Sequence, residues 1–572
     1  MKTVYRKLIV ISAAVSAVFG LQSCVGDLDT VPLNPYDKVP ETAYGTDEAG
    51  YLQGLSKIYF HLISNDTKDL QVSDGGASEL IRAYWSIQET TTDEAKCAWS
   101  NDAWVRALNT DTWTEAQNDA TYAVYIRTLQ GISYVNEFLR QTTDVKLDER
   151  GVDDGVKARV AQFRAEARFL RAFFYWMAID AFGNVPFVTE DSPFGTGVYP
   201  EQGTRKELFD FCIEELEDLA SPTSAMPAPR SNYPRADKGA VCGLLARMYL
   251  NAEVYTGTAM WQEAKDACED IFDMGYGLCG NYADLFRGDN GENPEALKEF
   301  IFAAAYDAEQ SQSYGGTTYL TLAAIAADDI QQMPVFEDED GNPIEEETMV
   351  TFYPNGVNNG WAGIRIPYEF VQKYFSVKDA DYGEGSYECD DARGQMFYIK
   401  GREESMDGAL YQFTNGWSCL KFNNVPHDTE PLYWYAEAAT KAYSDIDYPL
   451  IRLGEIYLIY AEACFRLNDR DEALPYLQEL SERAGVEGPA ASYTENYLIE
   501  ERARELYWEG HRRTDLIRFG KFHSGDFLWP YKGGESFGGQ SFERYKNLFA
   551  LPLTDLAANP TLKQNEGYPD NR

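Results

Sequence analysis

The sequence predicts a mainly α fold, in which irregular helical hairpins form a scaffold while long loops and short strands carry the ligand site. Two blocks keep the three-to-four-residue apolar period of amphipathic helices. Small residues recur at the spacing of closely packed helix pairs, and the stretch between the blocks is rich in Gly, Asn, Asp and Tyr. The first two observations call for helix on helix, the third for loops.

At the N-terminus, the apolar run Leu8 to Leu21 follows Lys2, Arg6 and Lys7. It is well short of the roughly 20 residues of a spanning helix, so it reads as a secretory signal. Leu21-Gln22-Ser23-Cys24 has the bacterial lipobox layout, a small residue before a cysteine that is acylated and becomes the new N-terminus. Cys24 is the predicted lipid attachment site, and the lipid the predicted membrane contact. A secreted protein with Cys24 as an ordinary thiol is the plainer alternative, but an exposed free thiol there is a liability. The expected divisions are a signal at 1–23, a tether at 24–47, a helical region at 48–274, a loop- and strand-rich ligand-binding region at 275–443, and a second helical region at 444–572.

In the first block, VKARVAQFRAEARFLRAFFYWMAIDAFG (156–183) repeats Phe163, Ala167, Leu170, Phe174 and Met177 at helical spacing, with Arg164, Arg168 and Arg171 between them. Gly183 is the expected stop. In the second, LIRLGEIYLIYAEACFRLNDRDEALPYLQELSERA (450–484) forms two helices broken at Leu467-Asn468-Asp469. Ala461 and Ala473 stand across that break as in a tetratricopeptide hairpin. Residues 244–272 have the same look with a longer connection. The period is not kept, which argues against a regular solenoid. The acidic EDEDGNPIEEE (337–347) places its glycine too early for an EF-hand and reads as a solvated turn.

A formal charge of −42 on 572 residues disfavours nucleic acid and anionic lipid, and removing residues 1–23 makes the chain more acidic still. A neutral or cationic ligand fits better. The cysteines beyond Cys24 lack CxxC pairing, and His61, His427, His511 and His523 have no zinc spacing. No cofactor is expected. Bound metal is left open, a structural calcium ion included.

Several stretches resemble the SusD-like (RagB/SusD) family of surface glycan-binding lipoproteins: FRAEARFLRAFFYWMAIDAFGNVPFV (163–188), RADKGAVCGLLARMYLNA (235–252), PLIRLGEIYLIYAEACFRLND (449–469), ERARELYWEGHRRTDLIRFGKF (501–522) and LPLTDLAANPTLKQNEGY (551–568). The resemblance implies a tetratricopeptide-like helical scaffold, a glycan-binding surface in place of a catalytic centre, and association with a SusC-like, TonB-dependent outer-membrane transporter. It also implies display on the cell exterior, since GDLD after Cys24 is similar to the acidic segments that accompany it. Glu501, Arg504, Glu505, Glu509, Arg512, Arg513 and Asp515 alternate in sign at helical spacings, so they read as structural ion pairs and not as catalytic groups. Trp176 and Trp508 read as core.

A sugar ring has a C–H face and a rim of hydroxyls, so its site needs an aromatic platform and a few planar hydrogen-bonding groups. Trp99, Tyr314 and Trp361 stand beside Gly, Asn or Ser, and Arg82 and Asn101 supply donors. The segments around them are similar to those of the family's starch-binding founding member, whose aromatics form an arc along an α-glucan. Either Asn101 or Asp102 corresponds to its asparagine. FLWPYKGG (527–534) is also similar, whereas Cys97 stands where the founder has a further arc tryptophan. The expected function is non-catalytic capture of α-glucans such as starch, maltooligosaccharides or dextran, and their delivery to the transporter. The competing readings are another glycan or a peptide in the same setting, and a surface glycoside hydrolase with two spaced carboxylates.

Overall fold

The computed structural model describes residues 43–570 apart from 66–71, 73, 117, 194, 196, 339–340, 345–347 and 432–433. Cys24 and most of the predicted tether therefore lie outside the described residues, as does part of the acidic 337–347 stretch.

Among the described residues, ten helices reach ten residues or more: α1 (Glu48–Ile63), α2 (Leu80–Glu89), α3 (Asp119–Gln141), α4 (Asp154–Phe182), α5 (Arg205–Ala220), α6 (Lys238–Leu250), α7 (Trp261–Phe272), α8 (Leu453–Leu467), α9 (Arg470–Ala484) and α10 (Glu495–Leu506). Their ends obey local chemistry. Asp153 caps α4 by accepting from Gly155 and Val156 N–H, and Thr204 and Glu207 close a reciprocal capping box on α5. Gly183 ends α4 at φ +71°, and Asn468 ends α8 in the left-handed region. The apolar series of α4 is buried throughout, with Phe163, Ala167, Leu170 and Phe174 wholly inaccessible.

Neighbours in sequence pack as neighbours in space, α3 on α4, α4 on α5, α5 on α6 and α6 on α7. The stack then continues from α7 directly to α8, and from α8 to α9 and α10. The two helical blocks of the sequence are thus one scaffold, from which the middle of the chain is an excursion. Ala461 and Ala473 are both fully buried. The 244–272 segment differs from a plain hairpin, because a further helical turn, Ala252–Thr256, occupies its connection.

Among the described residues, ten short strands form five two-stranded antiparallel ladders: β1 (Lys96–Cys97) with β5 (Ile364–Arg365), β2 (Phe300–Ala304) with β10 (Tyr448–Arg452), β3 (Gln331–Pro334) with β4 (Met349–Phe352), β6 (Lys378–Asp381) with β7 (Ser386–Glu388), and β8 (Phe397–Tyr398) with β9 (Ser418–Cys419). The β2–β10 ladder joins the two ends of the excursion. No helix among the described residues is long and apolar enough to cross a membrane.

The charged residues of the 501–522 segment lie inside. Arg452 meets Glu299 at 2.8 Å, Glu505 at 2.6 Å and Glu509 at 2.7 Å; Lys421 meets Glu509 at 2.7 Å. Arg393 bonds Asp391 and Glu501, and Arg512 bonds Asp93 at 2.8 Å. Burial alone would raise the Glu505 carboxyl, but Arg483, Arg452 and Arg393 outweigh it and hold it far below the usual range. Each carboxylate has committed partners, as the alternating signs predict, whereas Arg513 donates to the Asn547 carbonyl and not to a carboxylate. Trp508 and Trp176 are buried as well.

Candidate functional site

The predicted residues converge where α2, the loop after β1 and the excursion meet. Glu79 precedes α2 in extended conformation and accepts from Arg82 N–H at 2.6 Å. Its carboxylate also accepts from Gly316 N–H at 2.9 Å and from the Tyr306 hydroxyl at 2.5 Å, so it ties α2 to the loop 313–316. Burial outweighs these bonds and pushes the Glu79 carboxyl up to about 7.

Arg82 fastens the same loop. Its Nη1 donates to the Tyr314 carbonyl at 3.2 Å and its Nη2 to Asp74 Oδ2 at 2.6 Å, while the guanidinium lies 4.2 Å from the Tyr319 ring centre. Gly76 makes this possible, since a Cβ there would stand 2.3 Å from Nη1 and 2.5 Å from the Tyr314 carbonyl oxygen. Arg82 is only 1% exposed. The donors that the sequence assigns to a sugar are, at Nη1 and Nη2, already engaged with protein oxygens, because a guanidinium this deep needs partners of its own.

Held from beneath, Tyr314 projects its ring outward and is 45% exposed. Its ring centre is 5.6 Å from that of Trp361 and 5.0 Å from that of Tyr443. Hydrogen bonding to Tyr314 holds the Tyr443 hydroxyl above its usual range. Trp361 is fixed by its own backbone, whose N–H donates to the Leu322 carbonyl at 2.6 Å, and by a bridge to Ala326. Trp361 is half-buried, whereas Tyr314 is exposed.

Trp99 follows β1, with its ring centre 5.9 Å from that of Tyr319 in an edge-to-face arrangement and its Nε1 against Gly363. Gly363, at φ +120°, leaves room that a Cβ would fill at 2.4 Å from that nitrogen. Ala98 N–H donates to the Gly363 carbonyl at 2.8 Å, so the Trp99 and Trp361 segments run side by side. Asn101 is exposed, and Asp102 precedes the helix Ala103–Asn109 without capping it. Partial burial, reinforced by the nearby charges of Asp119 and Asp74, raises the Asp102 carboxyl. Cys97 is 3% exposed and bonded through its backbone to Asn109, so its side chain lies beneath the surface that Trp99 shares.

The structure thus brings Trp99, Tyr314 and Trp361 into one neighbourhood, with Asn101 and Asp102 at its rim and Arg82 under its floor. Sequence reasoning missed Tyr443, although it too sits beside a serine, and missed Glu79, which carries no motif. An open cleft of about 850 Å³ lies elsewhere, lined by Arg205, Arg518, Tyr545 and Asn565 among others. Two of its polar groups are engaged within the protein, Arg518 by Glu462 and Asp515, and Asn565 by the Phe182 and Phe549 carbonyls. Among the described residues, no three His, Cys, Asp or Glu side chains converge to hold a metal ion.

A helical-hairpin scaffold with a loop-borne aromatic face defines the class, and comparison with known proteins agrees: the chain belongs to the SusD family. Residues 298–568 match the model of the SusD family, and residues 73–250 match one described as "Starch-binding associating with outer membrane". The chain is 32% identical over 607 aligned positions to the starch-binding protein SusD of Bacteroides thetaiotaomicron, covering 99% of this chain and all of that one. It is 23% identical to SusD-like protein P25 of Formosa agariphila, covering 71% and 73% of the two chains. In structure it is similar to the surface glycan-binding protein A of Bacteroides thetaiotaomicron solved with laminarihexaose, at TM-score 0.63, 19% identity and coverage of 90% and 98%.

Proposed function

We propose that this protein is a non-catalytic glycan-binding lipoprotein, anchored by Cys24 on the outer face of the outer membrane, that captures α-glucans and hands them to a SusC-like, TonB-dependent transporter. The observation that carries this reading is the half-exposed set Trp99, Trp361, Tyr314 and Tyr443, braced from below by Arg82 and Glu79. Such rings offer flat apolar area to the C–H faces of successive sugars, and Asn101 and Asp102 can bond their hydroxyls. An exposed site of this kind buries little area per sugar, so affinity for short oligosaccharides is low. The starch-binding relative, 32% identical over nearly all of both chains, supports an α-glucan as the ligand. The carboxylates with catalytic looks, Glu501, Glu505, Glu509 and Asp515, are buried and paired with cations, which supports binding without chemistry.

Affinity electrophoresis in starch or dextran tests this directly. The protein should be retarded without releasing reducing ends, and Trp361→Ala, assayed at a temperature where the variant is folded, should weaken retardation by about fivefold, because one stacked ring contributes about 1 kcal/mol. Release of reducing ends would refute the reading. Retention of full binding by Trp361→Ala together with Tyr314→Ala would refute the assignment of the aromatic face.

A further inference from the structure

The hairpin β3–β4 leaves the scaffold just after Ala326, the bridge partner of Trp361, and its second strand returns into the loop that carries Trp361. Its register pairs Gln332 with Thr351 and Pro334 with Met349 on one face, and Met333 with Val350 on the other. Strand side chains alternate, so the two faces have separate fates. Val350 and Val335 turn inward and are 8% and 2% exposed, whereas Met349 and Phe336 turn outward and are 51% and 59% exposed. The short helix Tyr435–Ala438 packs against β4 and exposes Tyr435. From there the chain runs to Tyr443, and on the way the carbonyls of Ala439 and Lys441 accept from Asn358, three residues before Trp361. The exposed Tyr314, Phe336, Met349 and Tyr435 therefore belong to one connected module.

We infer that the outward face of this hairpin, Phe336 and Met349 with Gln332 and Thr351, is a second contact surface for a long neutral glycan whose other end lies on Trp361 and Tyr314. This inference rests on the function proposed above and adds to it a site that reads chain length. The composition of the face fits a sugar: an aromatic ring and a thioether for C–H surfaces, and an amide and a hydroxyl for the rim. Glu337 and Asp338, which follow Phe336, disfavour an anionic chain. A few side chains on a two-stranded ribbon fall short of the roughly 800 Å² per partner of a standard protein interface.

Titration calorimetry with an α-glucan ladder, from maltotriose to maltoheptaose and longer, tests this on the full mature chain. Phe336→Ala/Met349→Ala removes exposed groups only, so its melting temperature should match the unaltered protein. The double variant should keep the unaltered affinity for maltotriose and lose about three- to tenfold for the longest sugars, the worth of one or two stacked contacts. An unchanged gain of affinity with length in the variant would overturn the inference. So would an equal loss for maltotriose and the longest sugars, which would move the contact to the Trp361 face itself. Failure of the unaltered protein to bind any member of the ladder, or full binding by Trp361→Ala, would overturn the underlying reading and this inference with it.

Discussion

Around Arg452, cations and carboxylates lie within 3 Å of one another in a region sealed from water, and each carboxylate has a cation beside it. Around Tyr314, the Arg82 guanidinium and the Glu79 carboxyl, which burial pushes up to about 7, are also buried, but they brace a loop whose aromatic side chain is wet. Both regions bury polar groups at a desolvation cost that only well-made bonds offset. They differ in what the pairs hold. The Arg452 lattice holds scaffold elements to each other: β10, the residue preceding β2, the end of α10, and the turn at Glu509. The Arg82–Glu79 brace holds a surface ring against water. Function therefore sits where a buried polar network ends on an exposed apolar group, and not where charge is densest.

The largest test of this contrast is to break the lattice. Arg452→Met leaves Glu299, Glu505 and Glu509 without their shared cation, and should destabilise the fold by about 3 to 5 kcal/mol in denaturant titrations. Glycan affinity of the fraction still folded should be unchanged; a specific loss of affinity at full stability would erase the distinction between the regions.

A smaller effect is expected from acid. Burial alone would raise the Asp515 carboxyl, but Arg502 and Arg518 outweigh it and hold it at about 2. An unfolded aspartate titrates near 3.9, so the stabilisation is complete above about pH 5 and is lost as the pH falls through about 2. Asp515 alone accounts for about 2 kcal/mol of that loss. Unfolding free energy measured at pH 5, 4 and 3 should fall slightly from 5 to 4 and more steeply from 4 to 3 on this account.

Glu79 has the opposite sign. The folded chain keeps its proton up to about pH 7, whereas an unfolded glutamate releases it near 4.3, so its contribution declines as the pH rises between those values. Glu79→Gln stays neutral, and its stability relative to the unaltered protein should improve from pH 5 to pH 8. With one acceptor lost beneath Gly316, α-glucan affinity should fall about two- to threefold, the worth of a net hydrogen bond. An unchanged affinity would show that the Tyr314 loop needs no brace.

Much of the architecture was legible because it repeats. The apolar series of Phe163 to Met177, the stop at Gly183, and the alanines 461 and 473 all encode helix packing in local spacing. The motif 501–522 was legible as pairing for the same reason, although its partners Asp93, Arg393, Lys421 and Arg452 come from other segments that no spacing reveals. The aromatic face was half legible. Trp99, Tyr314 and Trp361 stand out by their small polar neighbours, but nothing in the chain says that Tyr443 joins them, that Cys97 lies below them, or that Arg82 turns inward.

By itself, the sequence determined the helical scaffold, the family resemblance, the acidic character that favours a neutral ligand, and the aromatic residues worth testing. Each of these depends on composition or on contacts a few residues long. Only the tertiary structure decided that the two helical blocks form one stack, that Arg82 braces Tyr314 instead of standing open, and that the hairpin β3–β4 lies in one module with Trp361. The reason is physical: whether a side chain is a ligand group or a support depends on its burial and on partners brought from hundreds of residues away, and those are properties of packing and not of spacing.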